Sequence, residues 1–201
     1  INGTTIVNGV ETKIYDLQTN FQDNPIGIEQ DNIRFSWKMD SNLVGQEQVS
    51  YQIQLHKGSE DGEVVWDSGV INSSLSSAIP YAGDPLDLET KYFWTVTVID
   101  SLGQEETATA HFQTGCDWGD TQWIYAENQN QRSPYFRTEQ KLDSSKKVSN
   151  ASLYITSLGV YDAYINGQQV MMQDAEGNPI DDTLAPGWTD YNSYIYYQGY
   201  D

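Results

Sequence analysis

The amino-acid sequence predicts an all-β protein composed of two β-sandwich domains. Apolar and polar side chains alternate along several short stretches, which is the pattern of strands that bury one face. Turn-forming residues recur about every ten positions, as they do in β-sandwiches, and amphipathic runs with helical spacing are nearly absent. With 201 residues, 38% of them hydrophobic, the chain is long enough to bury two small cores.

The first half of the chain contains the clearest strand pattern. Apolar residues at positions 33, 35, 37 and 39 alternate with polar ones, so we predict a half-buried strand with Trp37 at its centre. A first strand should precede it at residues 14–17. Further strands are predicted at 51–55, 64–66, 70–79, 92–98 and 108–112, separated by turn residues.

The stretch at 92–98 also predicts the type of sandwich. Leu88 stands four residues before Tyr92, and Trp94 shares a face with Tyr92, which is the pattern of a tyrosine corner beside a core strand in immunoglobulin-like topology. About seven short strands in about 100 residues without a disulfide resemble a fibronectin type III domain more than an antibody domain. We therefore assign residues 1–115 to a fibronectin type III-like β-sandwich with Trp37 and Trp94 in its core.

The second half has its own strand and turn signals. Leu153 and Ile155 alternate with polar neighbours and should lie in a second core. Asn166-Gly167 supplies the two positive-φ positions of a type I′ turn, which predicts a hairpin between 160–165 and 168–172. Two more segments complete this half. The strand pattern is interrupted at 184–187, and a tyrosine-rich strand is predicted at 191–200.

Three motifs in this half resemble a known family. They read Ala-x-Leu-x-Ile-x-x-Leu-Gly-Val-Tyr-x-x-Tyr-Ile-Asn-Gly at 151–167, Leu-Ala-Pro-Gly-Trp-Thr-Asp-Tyr at 184–191 and Tyr-x-x-Tyr-Asp at 197–201. Together they closely resemble the N-terminal β-sandwich region of the bacterial α-L-rhamnosidases of glycoside hydrolase family 78. Tyr-Ile-Asn-Gly also occurs in jelly-roll carbohydrate domains of β-galactosidases and β-glucuronidases, so the Pro-Gly-Trp-Thr-Asp-Tyr continuation is the part that narrows the family.

The first half resembles the same enzymes less specifically. Trp-Asp-Ser-Gly at 66–69 and Tyr-x-Trp-x-Val-x-Val-x-Asp at 92–100 are similar to the immunoglobulin-like module that precedes the sandwich in the family. The resemblance implies that residues 116–201 are the N-terminal part of a galactose-binding-like jelly roll. A jelly roll has about eight strands, whereas this segment predicts about five or six. We therefore expect a truncated second domain that continues beyond Asp201 and that dimerises through its exposed surface at Tyr191–Tyr200.

The resemblance also implies what the parent protein does. The family hydrolyses terminal α-L-rhamnose from glycosides by an inverting mechanism, so rhamnosides and a downstream catalytic barrel are the implied partners. A glycosidase needs two carboxyl groups about 5 to 10 Å apart. Asp117, Asp120 and Asp190 stand near Trp-Gly or Gly-Trp pairs, but the family places its catalytic acids in a helical barrel, and this chain contains no run of amphipathic helices. We assign no catalytic residue, read His56 and His111 as surface or packing residues, and expect residues 1–201 to be inactive.

Carbohydrate binding is the function that remains for the chain itself. Aromatic rings stack on the apolar faces of sugars while polar side chains bond the hydroxyl groups. Several of the candidate residues listed below also have a structural interpretation. Asn166 suits its turn, and Trp188 suits packing in the sandwich or against another domain. Either Tyr161 or Tyr164 must lie in the core because the two positions alternate. A stand-alone carbohydrate-binding or adhesion module, or an accessory domain of a different glycosidase, is the alternative to the rhamnosidase interpretation. The candidate carbohydrate-binding residues are Trp188, Tyr191, Tyr161, Asp162 and Asn166.

Charge and cysteine content limit the remaining partners. With 10 Lys+Arg against 29 Asp+Glu, the chain carries a formal charge of −19, which disfavours nucleic acid and anionic membranes and favours a neutral ligand. The acidic residues are spread along the chain, so a solubilising surface is their first interpretation and a structural calcium ion the second. A single cysteine, Cys116, excludes an intrachain disulfide. The compartment is left open, with the bacterial cytoplasm favoured over secretion.

Overall fold

A computed structural model describes residues 9, 11–127, 133–148, 150–174, 177–180 and 184–201. Within these ranges all regular elements are β-strands, which confirms the all-β class. No helix long and apolar enough to cross a membrane occurs in the described part of the chain. The strands are Thr12–Thr19 (β1), Ile26–Ile28 (β2), Arg34–Ser41 (β3), Gln48–Lys57 (β4), Glu63–Asp67 (β5), Ile79–Pro80 (β6), Lys91–Asp100 (β7), Glu105–Thr114 (β8), Leu153–Ile155 (β9), Tyr164–Ile165 (β10), Gln168–Gln169 (β11), Met172–Gln173 (β12), Pro179–Ile180 (β13) and Gln198–Tyr200 (β14).

Two sheets form a sandwich in the first half of the chain. The larger one has five strands in the order β2-β8-β7-β4-β5, and the smaller one has three in the order β1-β3-β6. Strand β7 pairs antiparallel with both β4 and β8 along nearly its whole length, whereas the short β2 adds to β8 in parallel and leaves one edge of the sheet on β2. This edge faces the second half of the chain, as described below.

The core of the sandwich consists of large side chains from the inner faces of both sheets. The Phe35 ring of β3 lies 4.8 Å from the Trp94 ring of β7 and 6.3 Å from the Phe112 ring of β8, measured between centroids. Both tryptophans predicted for the core are buried, and each indole N–H has a partner: Trp37 donates to Gln48 Oε1 at 2.9 Å and Trp94 to Thr19 Oγ1 at 3.1 Å. Because these donors are satisfied, burial of the indoles leaves no unpaired polar group.

The tyrosine corner predicted at Tyr92 is confirmed, but its leucine differs. The backbone N–H of Asp87 donates to the Tyr92 hydroxyl at 2.9 Å, which pins the preceding loop against the sheet. The leucine that packs in the core is Leu86, which is 6% exposed, whereas Leu88 is 38% exposed. The hydrogen bond from the Asp87 N–H to the Tyr92 hydroxyl fixes the loop so that Leu86, and not Leu88, faces the core.

The second half contains only two-stranded sheets within the described residues, namely β9 with β14, β10 with β11, and β12 with β13. The predicted hairpin is confirmed at its turn: Asn166 and Gly167 have φ angles of 52° and 83°, and β10 pairs with β11 across them. Both positive φ values match a type I′ turn, which explains the Asn-Gly pair.

Several sequence predictions for strand length and core position are wrong. The strand predicted at 70–79 is reduced to β6, the hairpin arms are two residues each, and the tyrosine-rich strand begins only at Gln198. Leu153 and Ile155 are half-buried and do not belong to the hydrophobic cluster, which lies between Ile14 and Phe112. The reason is the small number of neighbouring strands, because a two-stranded ladder offers no second layer to cover its side chains.

The core analysis predicts large losses of stability for two substitutions. Trp94→Ala and Trp37→Ala should each lower the free energy of unfolding by about 3 to 5 kcal/mol, because each removes a fully buried ring and leaves a cavity. Urea unfolding followed by circular dichroism measures this change. Trp123→Ala is the matched control, since Trp123 is 54% exposed and its loss should cost less than about 0.5 kcal/mol. If the two core variants unfold like the parent, the assignment of this core is wrong.

Candidate functional site

Two of the predicted sugar-binding residues form an aromatic pair in which the tryptophan is exposed and the tyrosine half-buried. Trp188 is 85% exposed and stacks on Tyr191, with 6.1 Å between ring centroids and 23° between ring planes. Next to the pair, Tyr194 and Tyr196 contact each other edge to face at 5.4 Å. Trp188 is therefore the member of the pair that presents its ring to solvent.

The loop that carries this pair is held by its own polar residues. Thr189 is buried and donates from Oγ1 to the carbonyl of Tyr194 at 2.7 Å. The Asp190 carboxylate accepts from the backbone N–H of Asn192 at 3.1 Å and from Ser193 Oγ at 2.9 Å, and these bonds lower the pKa of Asp190. Asp190 therefore caps a turn that sets the position of the aromatic pair.

The other three predicted residues have different contacts, and the backbone N–H of Tyr161 donates to the carbonyl of Ala185 at 3.2 Å, just before the loop that carries the pair. The Tyr161 hydroxyl donates to Gln198 Oε1 at 2.8 Å, so Tyr161 ties its segment to β14 and acts within the fold. Asp162 is exposed, and Asn166 occupies the hairpin turn. Among the described residues, no hydrogen bond joins Asp162 or Asn166 to Trp188 or Tyr191. Among the five predicted residues, the structure shows a ring contact between Trp188 and Tyr191.

A second site joins the two halves of the chain near residues 115–118, and sequence reasoning missed the tyrosines that form it. The Tyr197 hydroxyl donates to the carbonyl of Gly27 on the edge strand β2 at 2.6 Å. The Tyr154 hydroxyl donates to the carbonyl of Thr114 at 2.9 Å and accepts from Gln113 Nε2 at 2.8 Å. Two phenols of the second half thus bond to the end of the five-stranded sheet. We call this contact the junction.

Three glycines make the junction possible by letting the two halves approach closely. A Cβ atom at Gly115 would lie 2.1 Å from the Tyr197 hydroxyl oxygen, and one at Gly27 would lie 3.0 Å from Tyr197 Cε2. On the other side, a Cβ atom at Gly199 would lie 2.6 Å from Ile26 Cγ2. Any side chain at Gly115 or Gly199 would push the halves apart, so these positions require glycine for steric reasons.

Partial burial keeps the junction phenols protonated even at high pH. Desolvation raises the pKa of Tyr197 far above its ordinary value, and the nearby Glu29 carboxylate raises it further. Desolvation also raises the pKa of Tyr154. Because a neutral phenol can donate its proton to a carbonyl, both tyrosines act as donors at ordinary pH. The Trp118 ring packs edge to face on Tyr197 at 5.4 Å, and an ion pair between Lys91 and Asp201 (3.3 Å) lies at the rim.

The remaining titratable residues have local structural roles. Asp117 accepts from the backbone N–H of Gly119 at 2.8 Å and so caps a turn, as Asp190 does in its own loop. Burial and the Lys91 charge lower the pKa of His111, while burial raises the pKa of the Cys116 thiol. No cluster of three or more His, Cys, Asp or Glu side chains with metal-binding geometry occurs among the described residues.

Two family models match the chain. The model described as "Rha78A-like, N-terminal immunoglobulin domain" matches residues 14–117, which is more than half of the chain. The model described as "Alpha-L-rhamnosidase N-terminal domain" matches residues 146–201. Each half therefore matches a model of its own.

Individual relatives agree with these matches. An α-L-rhamnosidase of Formosa agariphila is 32% identical over 213 residues, which covers 90% of this chain and 21% of that protein. An α-L-rhamnosidase of Alteromonas sp. (strain LOR) is 33% identical over 198 residues, which covers 89% of this chain and 20% of that protein. The chain thus spans about a fifth of the length of the curated relatives that it matches.

A solved structure extends the likeness to the three-dimensional fold. The α-L-rhamnosidase from Dictyoglumus thermophilum superposes with a TM-score of 0.71 at 28% sequence identity, covering 94% of this chain and 23% of that one. Because the superposition includes nearly the whole chain, it covers both halves and confirms the predicted fold class of two consecutive β-sandwiches.

The junction analysis predicts that one hydroxyl group stabilises the second half. Tyr197→Phe should lower the free energy of unfolding by about 1 kcal/mol, since it removes one hydrogen bond and keeps the ring. Gly115→Ala should cost more, because its methyl group would overlap the phenol. Hydrogen exchange at 153–155 and 198–200 measures the effect, and both variants should exchange faster there.

The same phenol should give the junction a pH dependence. The folded state holds the Tyr197 proton, whereas the unfolded phenol ionises above about pH 10. The stabilisation is therefore present below about pH 10 and declines as the pH rises above that value. Tyr197→Phe should lack this part of the decline.

Two variants serve as controls for the junction substitutions. Tyr164→Phe matches Tyr197→Phe, because Tyr164 is exposed, and Gly119→Ala matches Gly115→Ala, because a Cβ atom at Gly119 meets only the flexible Asp117 side chain. Equal exchange rates in Tyr197→Phe and parent would contradict the role of the junction.

Proposed function

The chain belongs to the N-terminal region of the Rha78A-like α-L-rhamnosidases of glycoside hydrolase family 78, and from this membership we propose that the whole protein is an α-L-rhamnosidase. The proposed activity is hydrolysis of terminal α-L-rhamnose from glycosides by an inverting mechanism, in which a carboxylate activates a water molecule. The matched models are both N-terminal domains, and the 201 residues are a non-catalytic portion. The proposed division is a fibronectin type III-like β-sandwich at 1–115 and the N-terminal part of a jelly-roll β-sandwich at 116–201.

Structural support is the proposed role of this portion, and the junction is the observation that carries it. The first half has a closed core of large side chains, whereas the buried hydrophobic residues of the second half are few. The second half is tied to the first through the Tyr197 and Tyr154 hydroxyls and the glycines that receive them. A rigid first half would therefore hold the second half in place for the rest of the enzyme.

Carbohydrate contact is the second proposed role, and the exposure of Trp188 favours it. An indole that is 85% exposed and stacked on a tyrosine offers a flat apolar face, which suits the C–H face of a pyranose. Asp162 and Asn166 are exposed and are proposed to contribute polar groups from outside the aromatic pair, while the Tyr161 hydroxyl ties their segment to β14. The alternative role of Trp188 is contact with another domain of the same protein.

The proposed function predicts that residues 1–201 do not cleave an aryl rhamnoside, whereas the polypeptide extended by the reading frame that follows does. Release of the chromophore from a p-nitrophenyl α-L-rhamnoside is the measurement. Asp190→Asn is the control, because Asp190 only caps a turn. Turnover by residues 1–201 that persists through purification and disappears in Asp190→Asn would contradict the assignment. An extended polypeptide without turnover would contradict the rhamnosidase activity.

The apolar surface of the second half predicts self-association. We propose that the 201-residue chain dimerises through the surface around Tyr194 and Tyr196, which are 55% and 52% exposed, because large exposed apolar patches recruit other chains. Light scattering over a range of concentrations should show a dimer that disappears in the extended polypeptide. Replacing both tyrosines by serine should also weaken the dimer, whereas Tyr135→Ser, an exposed tyrosine elsewhere in the second half, should not. A monomer at high concentration would contradict this proposal.

A further inference from the structure

A cleft of about 320 Å³ opens on the first half of the chain. It lies between the end of the β4–β5 hairpin and the loop at 81–87, with Tyr92 of the tyrosine corner in its lining. Pockets that bind small molecules have volumes of about 300 to 1,000 Å³, so the cleft is large enough for one sugar-sized ring and too small for a chain of them. The lining residues that matter here are Lys57, Glu63, Tyr81, Asp84 and Asp87.

The loop that forms one wall is fixed although it has no regular secondary structure beyond β6. The Tyr81 backbone N–H donates to the carbonyl of Ile33 at 2.9 Å, and the Tyr81 hydroxyl donates to the carbonyl of Asp84 at 2.7 Å. At the other end, the Asp87 N–H donates to the Tyr92 hydroxyl at 2.9 Å. These bonds hold the wall in one shape before a ligand arrives, which lowers the entropy cost of binding.

Gly83 shows how tightly the loop closes on the Tyr81 ring. A Cβ atom at Gly83 would lie 2.3 Å from the Tyr81 hydroxyl oxygen, so only glycine lets the loop wrap around the phenol. The ring is also fixed from behind by an edge-to-face contact with Trp66 at 5.1 Å. Tyr81 is half-buried, and its orientation in the cleft is therefore set by both contacts.

The polar groups of the cleft suit hydroxyl groups better than anions. The Lys57 ammonium contacts the Asp87 carboxylate, which leaves the Glu63 and Asp84 carboxylates as an excess of negative charge. This excess repels phosphates and carboxylates. A hydroxyl group can donate to these carboxylates and accept from the ammonium, and the apolar wall at Val65 and Leu86 suits ring carbons.

We propose that this cleft binds one neutral pyranose. The Glu63 and Asp84 carboxylates accept hydrogen bonds from ring hydroxyls, Lys57 donates to a third hydroxyl, and the fixed Tyr81 ring contacts the carbon face. The site lies within the immunoglobulin-like half and does not include Trp188 or Tyr191. It goes beyond the proposed function, because neither the rhamnosidase activity nor the aromatic pair requires it.

Nuclear magnetic resonance titration of the 201-residue chain tests the proposal. L-rhamnose and D-glucose are added separately to ¹⁵N-labelled protein, with ethanolammonium as a cationic probe. The backbone amides of 63–65 and 83–87 should shift and saturate with at least one of the sugars. Ethanolammonium should bind more weakly, since it has no ring carbons to contact Tyr81 and the apolar wall at Val65 and Leu86.

Three variants make the test specific. Glu63→Ala and Asp84→Ala should each weaken sugar binding about tenfold, because a hydrogen bond to a charged group is worth about 1.5 kcal/mol or more. Gly83→Ala should weaken it as well by displacing the Tyr81 ring. Glu60→Ala is the matched control, because Glu60 is exposed in the neighbouring turn and does not line the cleft. It should bind like the parent.

Four results would overturn the proposal. They are no saturable shift with either sugar, shifts centred on Trp188 and Tyr191 instead of the cleft, an equal loss in Glu60→Ala, and tighter binding of ethanolammonium than of both sugars. Spectra of each variant without ligand show whether it is folded, and the two carboxylate variants change exposed residues only. The rhamnosidase assignment is tested separately by turnover of the extended polypeptide, so the two proposals fail independently.

Discussion

The close approach of Tyr197 to the edge of the first sandwich is the contact on which the arrangement of the two halves depends. The phenol reaches the Gly27 carbonyl only because Gly27 and Gly115 have no side chains in its path. The phenol is half-buried and neutral, and leaving its hydroxyl without an acceptor would be costly, so the bond also fixes the register of the approach. The Lys91–Asp201 ion pair at the rim is partly exposed and adds little.

The two halves are stabilised by different kinds of interaction. In the first half, two sheets enclose a cluster of aromatic and aliphatic side chains. The indole N–H groups of the two buried tryptophans, Trp37 and Trp94, both donate hydrogen bonds. In the second half, order comes from hydrogen bonds between side chains, such as those from Tyr161 and Tyr200 to Gln198, and from the junction. A half of this kind relies on its neighbour, and its uncovered aromatic residues, Trp188 above all, are available for contacts with sugar or protein.

The candidate sites differ in how far the sequence could reveal them. Trp188 and Tyr191 are three positions apart, and a local turn is enough to stack them, so sequence reasoning could identify the pair. For Tyr161 it left sugar contact and core packing open, and it could not show that the hydroxyl of this residue bonds to Gln198 across 37 positions. The junction joins residues 170 positions apart, and the cleft joins a hairpin end to a distant loop. No local pattern signals either of them.

The sequence by itself determined the all-β class, the alternation of the core strands around Trp37 and Trp94, the Tyr92 corner and the Asn166-Gly167 turn. Each of these follows from side-chain period or backbone conformation over a few neighbouring residues. Only the tertiary structure decided that Leu153 and Ile155 lie outside the core, that Leu86 packs in place of Leu88, and that Gly115 is needed for contact and not for a turn. Burial and close approach depend on which distant segment covers a residue, and alternation along the chain shows only which face is to be covered.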